Sequence, residues 1–170
     1  NDDARQRLAG LADAFLMHDR DIHVWCDDSV VRVFRGHELP IRRSRGYAPY
    51  PITLSRSGDS ILAVGGELKA TFCLTRGDHA YLSQHIGDMG NLETLHAFER
   101  AFEHLRTLFR AAPERLACDL HPGYLSSQWA ERYARERNLP LHKVQHHHAH
   151  IASLMTERGC GHDSRVIRLK

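Results

Sequence analysis

Apolar residues recur along this chain with two different periods, and the switches between them outline its elements. Leu8, Leu11, Ala12, Phe15 and Leu16 fall at helical spacing, which predicts an amphipathic helix ending near His18. Strand-like runs follow at residues 22–25 and 29–34, with a turn at Asp27-Asp28. A third, at 38–43, is punctuated by Gly36 and Pro40. The segment Gly46-Tyr47-Ala48-Pro49-Tyr50-Pro51 reads as an extended, proline-bounded boundary. Residues 60–64, 71–75 and 80–84 then predict a three-stranded antiparallel meander, turning at Gly65-Gly66 and at Arg76-Gly77-Asp78. Leu92, Leu95, Phe98, Phe102, Leu105, Leu108 and Phe109 describe a long amphipathic helix. A strand at 115–120, a helix over 125–137, a further strand and a last helix running to about Arg158 complete the pattern. Such an alternation predicts an α/β fold.

Three meander strands followed by β-α-β-α are the layout of a ribonuclease-H-like first lobe of an actin/hexokinase-type ATPase fold. Residues 1–51 hold too few elements for a core of their own and read as the end of another domain, with the lobe occupying 52–170. The chain has 170 residues, 42% hydrophobic and 26% charged, which is the composition of a globular protein. A net charge of +2 argues against a nucleic-acid partner. No stretch approaches the roughly 20 apolar residues of a membrane helix, and no leader opens the chain. A cytoplasmic location is therefore expected. Cys26, Cys73, Cys118 and Cys160 are widely spaced, which argues against both a zinc knuckle and a disulfide scaffold.

The densest chemistry lies at His146-His147-His148-Ala149-His150. His146 and His150 stand four apart, so on a helix both rings share a face and can reach one metal ion. A solvated polar helix start has the same composition. Four other constellations each have two readings on residue type alone. Gly65-Gly66 with Lys69 could cradle a phosphate, or form an ordinary hairpin turn. Asp119 and His121 end a strand where α/β sheets gather their ligands, and they could orient a substrate or support a metal ligand. They also fit a Pro-Gly loop. Arg42, Arg43 and Arg45 could bind a phosphate, or form a solvated basic edge. His85 and Asp88 either touch a ligand or hold the turn into the long helix.

Taken in series, these segments resemble the HypF carbamoyltransferase family of [NiFe]-hydrogenase maturation. The resemblance runs from about residue 18 to 157. It is carried by Cys26-Asp27-Asp28-Ser29-Val30-Val31-Arg32, Ile41-Arg42-Arg43-Ser44-Arg45-Gly46-Tyr47-Ala48-Pro49 and Val64-Gly65-Gly66-Glu67-Leu68-Lys69. It continues through Leu82-Ser83-Gln84-His85-Ile86-Gly87-Asp88, Asp119-Leu120-His121-Pro122-Gly123-Tyr124 and the histidine run. The resemblance implies the end of a YrdC-like domain up to Pro51 and the first half of a TsaD-like domain from Ile52. It implies carbamoyl phosphate and ATP as substrates, carbamoyl adenylate as the product of the first step, and transfer to the C-terminal cysteine of a HypE-type acceptor. It also implies a divalent metal, zinc or iron, on His146 and His150. Catalytic roles then fall to Asp119 and His121. Gly65, Gly66, Lys69, Arg42, Arg43 and Arg45 become the nucleotide- and phosphate-binding residues.

Residues 161–170 depart from that family, which continues with an apolar strand and an Asp-Gly-Thr-Gly-type loop. The sequence therefore predicts one lobe without its second, and an incomplete catalytic cycle for these residues alone. A related O-carbamoyltransferase, a tRNA threonylcarbamoyl-transferase and a non-catalytic metal- or partner-binding remnant are the competing readings. No cysteine is an obvious nucleophile. Cys73 and Cys118 lie in apolar runs and are expected to be buried and inert.

Overall fold

A computed structural model of the chain describes residues 2–157, 159 and 160. The divergent stretch 161–170 lies outside the described residues. A short helix α1 (Asp2–Leu8) opens the chain, followed by a ribbon of β1 (Val30–Phe34) and β2 (His37–Arg42). The ribbon turns at Arg35-Gly36, both at positive φ, the conformation that a two-residue hairpin of matching twist requires. All ribbon residues are exposed.

The remaining strands form one sheet: β3 (Pro51–Gly58), β4 (Ile61–Val64), β5 (Phe72–Leu82), β6 (Arg115–Asp119) and β7 (Leu141–Val144), in the order β3-β5-β4-β6-β7. The pairings of β5 with β3 and with β4 are antiparallel, whereas β4-β6 and β6-β7 are parallel. Helices α2 (Leu92–Leu108) and α3 (Leu125–Arg137) supply the crossovers. The core lies between them and one face of the sheet. Leu62, Val64, Phe72, Leu74 and Leu116 meet Phe98 and Phe102 of α2 and Trp129 and Tyr133 of α3. The rings pack edge to face, with Phe98 at 5.3 Å from Phe72 and 4.8 Å from Trp129, which aligns ring edges with ring faces. Asn91 caps α2 by accepting from the Thr94 amide, and Asn138 ends α3 in the left-handed conformation. The last helix, α4 (His146–Glu157), starts two residues after β7.

Three expectations change. The first helix stops at Leu8 and buries nothing; Leu11 and Leu16 project into solvent beyond Gly10, having no apolar surface to cover. Residues 22–25 form no strand, and Trp25 is largely exposed. The meander is built from other pieces. Arg76-Gly77-Asp78 is no turn: β5 runs straight through it, with Gly77 at positive φ opposite Gly58 where the register shifts. The third antiparallel strand is β3, which begins at Pro51. The N-terminal segment touches the sheet where the His85 amide donates to the Arg43 carbonyl, 2.9 Å apart. Among the described residues, no helix is long and apolar enough to cross a membrane.

Candidate metal centre

Val64, Asp119 and Val144 mark the carboxyl ends of three neighbouring parallel strands, β4, β6 and β7. A cavity of about 190 Å³ opens there, lined by Gly65, Gly66, Asp119, Val144, His146 and Ala149 among others. Such strand ends point their backbone and following loops toward a ligand, which is why α/β sheets bind there.

Asp119 is the centre of this cluster. Its side chain is 8% exposed. One oxygen, Oδ1, accepts from the His121 amide at 2.9 Å, and Oδ2 lies 2.7 Å from His146 Nδ1. Burial pushes the Asp119 carboxyl up, but the His121 amide and the His146 ring outweigh that and hold it below the usual carboxylate range. An ionised carboxylate only accepts, so His146 donates from Nδ1. In the neutral ring Nε2 then carries a bare lone pair. That Nε2 faces His150 Nε2 at 3.1 Å. Two ligand nitrogens at about 2.0–2.1 Å from one ion, at tetrahedral or octahedral angles, stand about 2.8–3.4 Å apart. The donor pair therefore fits a shared divalent metal. Among the described residues no group of three His, Cys, Asp or Glu side chains could hold such an ion.

The glycine loop closes the other side. A Cβ on Gly66 would lie 3.6 Å from His146 Cε1 and 3.7 Å from Tyr124 Cε2. Gly65, Gly66, Asp119, His146 and His150 are thus assembled from the ends of β4 and β6 and from α4. The other expected residues lie differently. The His121 ring stacks on Tyr124 at 4.2 Å and accepts from the Gly123 amide. Lys69, at positive φ, is felt electrostatically at His85 together with Arg42. Arg43 donates to the Tyr47 carbonyl and Arg45 to the Cys26 carbonyl, each at 3.0 Å, so both brace the segment before β3. Asp88 accepts from the Gly90 amide and holds the turn into α2.

Two residues within the motifs had no role assigned from sequence. Tyr124 stands between His121, on which it stacks, and Gly66, where an added Cβ would lie 3.7 Å from its ring. Glu67 reaches the Ser126 amide at the start of α3, 3.5 Å away, where the cap position Tyr124 supplies no side-chain acceptor. The acid following a glycine pair and the aromatic following Pro-Gly were the available signals.

Residues 56–157 match the family model described as the HypF Kae1-like domain. Carbamoyltransferase HypF2 of Cupriavidus necator is 52% identical over 163 residues, covering 94% of this chain and 20% of that protein. A crystal structure of full-length HypF in a phosphate- and nucleotide-bound form superposes with a TM-score of 0.85 at 48% identity, covering 94% of this chain and 25% of that one. The structure of HypF from T. kodakarensis gives a TM-score of 0.86 at 40% identity, over 94% and 21% of the two chains. The chain therefore spans about a fifth of the curated relative it matches. It belongs to the HypF family, with the family's Kae1-like domain over residues 56–157.

Proposed function

We propose that this chain is the section of a HypF-type carbamoyltransferase that carries two ligands of its metal centre. The whole protein makes carbamoyl adenylate from carbamoyl phosphate and ATP and passes the carbamoyl group to the C-terminal cysteine of a HypE-type acceptor. Family membership supports the activity class, and the relatives' names specify carbamoyl transfer. The observation that carries the site is the His146–His150 pair, 3.1 Å apart, of which His146 lines the cavity.

In this reading the residues from Ile52 on, with β3–β7 and helices α2–α4, form the ribonuclease-H-like first lobe, and residues up to Pro51 end a YrdC-like domain. Gly65 and Gly66 leave the backbone open to a phosphate oxygen beside the histidines. Zinc or iron on the pair supplies Lewis-acid stabilisation of a crowded anionic centre. Arg42 and Lys69 add positive charge near His85. The acceptor thiol is assigned to the partner, and burial raises the Cys73 and Cys118 thiols, which removes these two as candidates within the lobe. A cavity of about 190 Å³ is small beside the roughly 300–1,000 Å³ of ordinary ligand sites. This chain alone accordingly takes up metal without turning over.

The test is a titration of Zn²⁺ and of Fe²⁺ into the metal-free chain near pH 7.5, beside a His146→Ala/His150→Ala variant. One equivalent that raises the melting temperature of the wild type alone is the expected result. Equal, weak uptake by both proteins would remove the metal centre. Carbamoyl-phosphate-dependent release of pyrophosphate from ATP, assayed on the whole protein, tests the activity.

A further inference from the structure

Helix α4 carries both histidines, yet none of its described side chains is buried; each is exposed or half-buried. A hollow of about 690 Å³ separates Ala152, Met155 and Thr156 on its second half from Thr53–Arg56 of β3. Apolar burial therefore does little to fix this helix on the sheet. At its first residue stands the pair of His146 Nδ1 and Asp119 Oδ2. Among the described residues this is the helix's one polar side-chain link to another element, since the His150–His146 and Thr156–Ala152 contacts are internal. Asp119 is itself held from behind: Oδ1 takes the His121 amide and its carbonyl takes the Ser127 hydroxyl at 3.0 Å.

We propose that Asp119 is the positioning residue of the histidine pair. By accepting from His146 Nδ1 it fixes the ring form whose Nε2 faces His150, and it seats α4 on the sheet, so that metal uptake and docking of the helix are coupled. The inference rests on the metal reading above and assigns to Asp119 a role distinct from contact with substrate. The physical argument is that of a metal-bound imidazole whose other nitrogen donates to a carboxylate, which sets ring orientation and basicity.

Two substitutions in the full 170-residue chain separate the parts. In Asp119→Asn the His121 amide still needs an acceptor, so the side-chain oxygen stays there and the NH₂ group turns to His146 Nδ1. That nitrogen must then accept, which puts the ring proton on Nε2, where a metal would sit. Asp119→Asn is therefore expected to keep α4 seated but weaken Zn²⁺ binding roughly 10–100-fold, with the ¹⁵N shifts of His146 reporting the exchanged tautomer. Asp119→Ala is expected to lose both, seen as lower Zn²⁺ affinity and faster hydrogen exchange of the α4 amides. Zn²⁺ should slow that exchange in the wild type. Wild-type Zn²⁺ affinity and an unchanged tautomer in Asp119→Asn would overturn the proposal. So would α4 exchange that is the same in wild type and Asp119→Ala. Should the wild type itself bind no Zn²⁺, the metal reading fails. The tautomer and the exchange rates of the metal-free chains would then still decide whether Asp119 positions His146.

Discussion

Gly65 and Thr71 face each other across the mouth of the β4–β5 connection, the Gly65 amide donating to the Thr71 carbonyl oxygen at 2.9 Å. A Cβ on Gly65 would lie 2.8 Å from that same oxygen, which is backbone and cannot swing aside. The neighbouring Gly66 has ordinary van der Waals room toward His146 and Tyr124. Gly65→Ala should therefore destabilise the chain by about 1–3 kcal/mol. Gly66→Ala should stay within about 1 kcal/mol of the wild type, because the stiffened unfolded chain offsets the tighter fit. Urea unfolding midpoints distinguish the two. Equal losses would mean that the pair is only a generic turn.

Much of this arrangement is legible from local pattern, and the rest fails for identifiable reasons. The periodic apolar stripe of Phe98, Phe102 and Leu105 announces α2 because each of those side chains is buried against the core. The helical stripe from Leu8 to Leu16 is as regular, yet among the described residues Leu8, Leu11 and Leu16 find no cover, and the helix ends at Leu8. Arg76-Gly77-Asp78 has turn chemistry, but β5 continues because its second half finds hydrogen bonds on β3. Pairing between segments some 25 residues apart leaves no local mark. The site divides in the same way. The His146–His150 spacing is written in four consecutive steps of one helix. The Asp119–His146 contact joins residues 27 apart in sequence, and only the parallel pairing of β6 with β7 brings them together.

The aromatic core should dominate stability. Phe98 is fully buried between Phe72 and Trp129. Truncation to Ala removes a ring from a close-packed cluster and leaves a cavity, with an expected cost of about 3–5 kcal/mol. Val33→Ala on the exposed β1–β2 ribbon should cost within about 0.5 kcal/mol. Similar midpoint shifts for the two variants would contradict this placement of the core.

His85 should report the junction between the N-terminal segment and the sheet. Burial, followed by the positive charges of Arg42 and Lys69, lowers its pKa below the ordinary 6.5, against a smaller opposing effect of Asp27. The unfolded chain then takes up the proton first as pH falls. The His85 contribution to stability is complete above about pH 6.5 and declines below it, levelling off once the folded-state pKa is passed. The loss of melting temperature between pH 7.5 and 5.5 should therefore be smaller in His85→Gln than in the wild type. Arg42→Ala should move the His85 titration, followed by NMR, upward. A titration unmoved by Arg42→Ala would separate the two segments.

The thiols should label in an order set by burial rather than by sequence position. Burial raises the Cys73 thiol to about 11, and the buried Cys118 is likewise raised, whereas Cys160 is exposed. A thiol at about 11 is roughly a thousandth ionised at pH 8, and only the thiolate attacks an alkylating agent. Iodoacetamide at pH 8 should accordingly modify Cys160 at least tenfold faster than Cys73 or Cys118, as read by peptide mass spectrometry. Raising the pH from 8 to 9 should speed Cys73 labelling about tenfold, since its thiolate fraction still climbs by one decade per pH unit. Rapid modification of Cys73 or Cys118 under native conditions would expose a nucleophile within the chain. The assignment of the acceptor thiol to a partner protein would then fail.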